Sequence, residues 1–181
     1  MSSRGISQIM KVSKLKSLVL AALLAMATAF PANAASIDKP EGKVVLTITG
    51  NIQNTNDGQA ATFDLAMLEK IAGRQASMET PWTEGETTFE GPILRNILKQ
   101  VGASGKTMRI VALNDYAADV PIEDAEQIDT ILATKMNGKP MSVRDKGPLF
   151  LIYPFDLDSS LYNEKYFARS VWQIKQIEIV N

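Results

Sequence analysis

The 181 residues include no Cys and no His. That composition removes thiolate nucleophiles, Ser-His-Asp triads, imidazole general bases and thiolate or imidazole metal sites. Chemistry is left to carboxylates, Lys, Tyr, Ser and Thr, or to a cofactor held by other groups. Trp82, in the polar stretch Thr80-Pro81-Trp82-Thr83-Glu84-Gly85, offers an apolar face and one N–H. It suits stacking on a planar ligand, with capping of a core as the competing role. Asn114-Asp115-Tyr116 follows a strand-like run, where a sheet holds polar side chains rigidly at an exposed end; an ordinary edge aromatic is the plain alternative. Arg144-Asp145-Lys146-Gly147 is either a ligand rim or a solvated loop. Carboxylate pairs such as Asp156 with Asp158 are open in principle to a cofactor-free hydrolase, but both sit in a polar loop without the burial that tunes a catalytic pKa.

The elements that must position these residues follow from periodicity. Val44 to Gly50 is rich in β-branched residues and predicts a strand. Leu65, Leu68 and Ile71 recur at helical spacing, Asp64 can accept first-turn amides, and Gly73 is the expected left-handed stop. Arg74 to Glu90 shows no clear period and is read as loop. Gly91-Pro92 is read as opening a second helix whose buried stripe is Ile93, Leu94, Ile97, Leu98 and Val101, closed by Gly102. Met108 to Leu113 predicts a central strand, and Pro121 to Ile128 a short acidic turn or helix. Ile131 to Met136 and Pro148 to Pro154 predict a hairpin or adjacent strands, with Asn137-Gly138 suited to a type I′ turn because both central residues need positive φ. Asp156 to Tyr166 is expected to be a polar loop. In Val171 to Val180 the apolar alternation shifts phase once, between Ile174 and Ile177, which predicts a bulge.

The beginning of the chain reads differently. Met1 to Lys16 carries Arg4, Lys11, Lys14 and Lys16 without an acid, Leu18 to Phe30 is apolar, and Pro31-Ala32-Asn33-Ala34 has the small residues of a cleavage site. A secretory signal peptide over residues 1–34 is expected, with translation starting at Met1 or Met10 and a periplasmic destination. The apolar run falls short of the roughly 20 residues that span a bilayer, so no transmembrane helix is expected after cleavage. Ala35 to Gly42 is a polar lead-in, expected to be flexible. Without residues 1–34 the charge balance moves from 19 bases against 20 acids to 15 against 20. Nucleic acid is then a poor partner, since it demands a concentrated positive face. With no disulfide available, the fold of residues 35–181, expected to be a single domain, must rest on its core.

Taken in order, several motifs add up. They are Thr49-Gly50, the helix from Asp64 to Ala72, Phe89-Glu90-Gly91-Pro92-Ile93-Leu94-Arg95, Asn114-Asp115-Tyr116, Leu132-Ala133 to Met136-Asn137-Gly138-Lys139-Pro140, Gly147-Pro148-Leu149 and Arg169-Ser170-Val171. The set resembles the sulfite-oxidase-like molybdopterin-binding domain, in particular its small exported single-domain members. The resemblance implies an α+β fold with a β-rich core, two short helices and a polar rim. It also implies a molybdenum-ligating cysteine after the first helix, where this chain has Ser77, Thr80 and Thr83. It implies a phosphate-holding base after Gly-Pro-Leu, where Phe150 stands, and a Lys after Ser-Val, where Trp172 stands. A pterin phosphate without those donors loses several charge-assisted bonds, at roughly 1.5–3 kcal/mol each.

Two functions are therefore weighed. One is a non-catalytic periplasmic binding or sensing domain with no cofactor, taking a small anionic or planar ligand or a periplasmic or membrane partner protein. Its expected pocket is Trp82, Asn114, Tyr116, Arg144, Lys146, Arg169 and Trp172, which supplies aromatic faces and three cations. The other is an oxidoreductase that keeps molybdopterin through oxygen ligands, with Tyr116 or Asp115 near the reacting centre. A structural subunit, with the pocket filled by its own side chains, is a third reading.

Overall fold

The structure is a computed structural model describing residues 37–181; the expected signal peptide lies outside them. The strand Val44–Gly50 (β1) forms as its β-branched run predicts, with Leu46 and Ile48 buried on one face. It pairs in parallel with Ile174–Val180 (β11) and antiparallel with Ala61–Asp64 (β2). Thr107–Ala112 (β5) lies antiparallel on the far side of β11, and Ala117–Pro121 (β6) completes a five-stranded sheet in the order β2-β1-β11-β5-β6. The expected bulge is present, because the β11–β5 register shifts between Ile174 and Gln176. It restores Ile177 and Ile179 to the buried face beside Ile174.

A second sheet is built largely from residues that sequence periodicity did not single out. Gly73–Met78 (β3) and Thr87–Pro92 (β4) pair antiparallel from Gly73↔Pro92 to Met78↔Thr87, so much of the expected loop from Arg74 to Glu90 is a hairpin. Short strands hide their period, yet Ala76, Met78, Thr87 and Phe89 all turn inward. Gly73 is correspondingly not a left-handed helix stop. The first helix ends at Lys70, and Gly73 opens β3, where a Cβ would stand 2.0 Å from the Gly91 carbonyl oxygen. Gly91 and Pro92 likewise end a strand instead of opening a helix; that helix is Leu94–Val101, and it closes on Gly102 at φ 61° as expected. Asn137 and Gly138, at φ 51° and 74°, join Lys135–Met136 (β8) to Lys139–Pro140 (β9) at the edge of this sheet. Phe150–Ile152 (β10) returns beside Ile131–Ala133 (β7) as an adjacent antiparallel strand.

Two further differences have local causes. The lead-in is anchored: Ile37 is buried, and the amides of Glu41 and Gly42 donate to Asp64 Oδ2 at 3.0 and 2.7 Å, while Asp64 Oδ1 caps the helix Leu65–Lys70 through the Met67 amide at 2.8 Å. These bonds, that to Gly42 first, hold the Asp64 carboxyl below the usual carboxylate range. The expected polar loop after Asp156 contains the 3₁₀ turn Ser159–Leu161 and leads into a helix, Glu164–Arg169, capped by the Asn163 side chain. The core is continuous, running from Leu46, Phe63 and Ile110 to Phe89, Phe150 and Tyr153. Among the described residues no helix is long and apolar enough to cross a membrane.

Candidate functional site

The seven expected site residues divide into three groups. Trp82 and Trp172 come together, with ring centroids 6.3 Å apart. Both lean on Phe150, Trp82 edge-on at 5.4 Å and Trp172 edge-on at 6.0 Å, and Phe150 also meets Phe89 edge-on at 6.0 Å. These separations are those at which aromatic pairs attract beyond simple area burial. Phe150 has no exposed surface, Trp82 is half-buried and Trp172 is 40% exposed. Trp82 also contacts Phe155 and Phe167, which carry the cluster on to Tyr162 at the surface.

Arg169 turns elsewhere. Its Nη1 donates to Asp124 Oδ2 at 2.8 Å, and the buried Tyr153 hydroxyl donates to the same oxygen at 2.7 Å. Burial and the bond to Asp124 push the Tyr153 phenol above its ordinary pKa. Asp124 lies in the stretch Pro121 to Ile128, expected only to be a short acidic turn or helix, yet it is just 7% exposed. The side chain of Arg169 is therefore committed within the fold.

Asn114, Tyr116, Arg144 and Lys146 lie on two neighbouring loops that Gln173 ties together. Its carbonyl accepts from the Leu113 amide at 2.9 Å, its amide donates to the Lys146 carbonyl at 2.9 Å, and its side chain donates to the Val143 carbonyl at 2.7 Å. Gln173 at φ 55°, Asp115 at 64° and Lys146 at 71° take the left-handed conformation, so both loops turn tightly at the end of the sheet. Tyr116 is 54% exposed and Asn114 caps its own turn through the Tyr116 amide. Lys175 donates to Asp115 Oδ1 at 2.6 Å and thereby holds that carboxyl below its usual range. Among the described residues neither Arg144 nor Lys146 forms an ion pair.

Beneath these loops opens a cleft of about 550 Å³, bounded by Lys43, Val44, Leu113, Met141, Val143 and Lys175. Leu113 and Val143, each beside an expected polar residue in the sequence, are both exposed there. Two other depressions are less suited to a ligand. One beside the first helix contains Lys135, already bridging Glu69 and Glu90 at 3.3 Å each. The other, along the lead-in, mixes Asp38, Glu41 and Asp64 with Lys39, Lys43 and Lys70.

The donors for a pterin cofactor can be compared directly. Ser77 shares a hydrogen bond with Thr88 at 2.7 Å, and Thr80 with Thr83 at 2.7 Å. Phe150 and Trp172, where the resemblance implies phosphate-holding cations, are uncharged aromatic rings, Phe150 without exposed surface and Trp172 with a single indole N–H. Among the described residues no group of three or more acids stands ready for a metal. This donor set does not fit a phosphate-bearing molybdenum cofactor. A model of the oxidoreductase molybdopterin binding domain family matches residues 46–181. No curated protein matches the chain.

Proposed function

The chain belongs to the oxidoreductase molybdopterin-binding domain family, and from that premise we propose that it is a member working as a periplasmic binding domain without molybdenum redox chemistry. The observation that carries this reading is the ring cluster around Phe150, which has no exposed surface and lies 5.4 Å from Trp82 and 6.0 Å from Trp172. A dianionic phosphate there would replace solvation by water with apolar ring edges, at a cost of several kcal/mol. The absence of Cys removes the soft ligand that molybdenum chemistry draws on. The pairing of Arg169 with Asp124 withdraws a third cation.

Binding then falls to the end of the sheet, where the loops around Asn114-Tyr116 and Arg144-Lys146 border the open cleft. Arg144 and Lys146, which form no ion pair among the described residues, favour an anionic ligand. The deciding experiment is molybdenum and pterin analysis of the full chain isolated from the periplasm of its host. Substoichiometric molybdenum is expected. One molybdenum per chain, lost on replacement of Tyr116 or Asp115, would establish the oxidoreductase reading instead.

A further inference from the structure

We infer that the cleft between the start of β1 and the segment Met141–Pro148 binds a small amphipathic carboxylate, an apolar body with a single anionic head. The inference rests on the binding-domain reading and names the ligand class of that site.

The cleft exists because two strands part. Parallel pairing of β1 with β11 begins only at Thr47↔Gln176. Before that point the bulge at Ile174 swings β11 away, and the Ile174 amide donates instead to the Leu149 carbonyl at 3.1 Å. Val44 and Val45 are thus left without a neighbour on that side, facing Leu113, Met141, Val143 and Pro148 across the gap. Val44, Leu113 and Val143 are 41%, 43% and 53% exposed. Three separate segments therefore hold large apolar side chains open to water at one place, an arrangement that marks a binding surface more than a chance scatter.

Charge selects the head group. Among the described residues Lys43 and Lys175 line the cleft and no acid does. Lys43 forms no ion pair among the described residues, and the one carboxylate on Lys175 belongs to Asp115, whose side chain is 83% exposed. The Lys43 ammonium is therefore open to an incoming anion, and Lys175, held at 2.6 Å by the exposed Asp115, has N–H donors left beyond that bond. Among the described residues no aromatic side chain lines the cleft, which disfavours planar rings, and no Arg lines it to grip a phosphate in two-point fashion. A lone carboxylate on an aliphatic body matches two point charges over an apolar floor. The volume of about 550 Å³ falls within the range of small-molecule sites. The concave shape suits a free molecule more than a flat membrane.

The test is calorimetric titration of the purified full chain with decanoate, with decan-1-ol as the uncharged comparison. Saturable binding of one decanoate per chain is expected, with decanol weaker by about tenfold or more, the factor worth 1.4 kcal/mol. Val143→Asp should weaken decanoate by a similar factor. Lys43→Glu should weaken it several-fold and flatten its dependence on salt, because the attraction between exposed charges is screened. Both replaced positions are at the surface, and an unchanged melting temperature confirms that each variant folds. The inference is overturned by an absence of decanoate binding, by equal affinity for decanol, by an unaffected Val143→Asp, or by capture of the chain on phosphatidylglycerol vesicles in place of free decanoate. Any of these in molybdenum-free protein leaves the binding-domain reading standing. Stoichiometric molybdenum sinks that reading separately.

Discussion

Replacing Asp124 by Ala removes the oxygen on which two side chains converge, Tyr153 at 2.7 Å and Arg169 at 2.8 Å. The two losses differ in kind. Tyr153 has no exposed surface, so its hydroxyl would be left buried without its acceptor, at about 1–3 kcal/mol. Breaking a fully buried ion pair costs about 3–5 kcal/mol, but the Arg169 side chain keeps 22% of its exposure, so water would relieve part of that charge. An overall loss of about 3 kcal/mol is expected. Tyr153→Phe deletes one hydrogen bond and leaves Asp124 held by Arg169, at about 0.5–1.5 kcal/mol. Urea unfolding followed by the fluorescence of Trp82 and Trp172 measures both. The reasoning fails if Asp124→Ala lies within about 1 kcal/mol of the parent, or if Tyr153→Phe costs as much as Asp124→Ala.

Two further outcomes are expected. Phe150→Ala should cost about 3–5 kcal/mol, the range for truncating a buried aromatic, and should shift Trp82 and Trp172 emission to the red as water enters the ring cluster; an unshifted spectrum would contradict the packing described. Because Asp64 has a lowered folded-state pKa, its stabilisation is present above the unfolded value of 3.8 and drains away as pH falls below it. Acid unfolding curves of the parent and Asp64→Asn should therefore converge as pH drops below that value, and parallel curves would refute the cap.

Some of this molecule is legible along the chain because the signal is local. Val44 to Gly50 is rich in β-branched residues, Asp64 stands one residue before an apolar helical stripe, and Asn137-Gly138 favours a tight turn. The phase shift near Ile174 foretells a bulge, since a period of two tolerates one extra residue only by breaking register. Trp82 and Trp172, two of the residues expected to share a pocket, have ring centroids 6.3 Å apart.

The β-rich α+β class, the family and the exclusion of thiol and imidazole chemistry are legible from residue type and order alone. Where each charge and ring went depends on the folded arrangement. Arg169 carries the same guanidinium as Arg144, yet one is bound to Asp124 and the other is exposed. Phe150 differs little on paper from any core aromatic until Trp82, Phe89 and Trp172 close around it. The cleft beside Val44 arises where β1 and β11 part, a relation between segments about 130 residues apart. No local pattern encodes it, because an opening is made by what two distant strands fail to do.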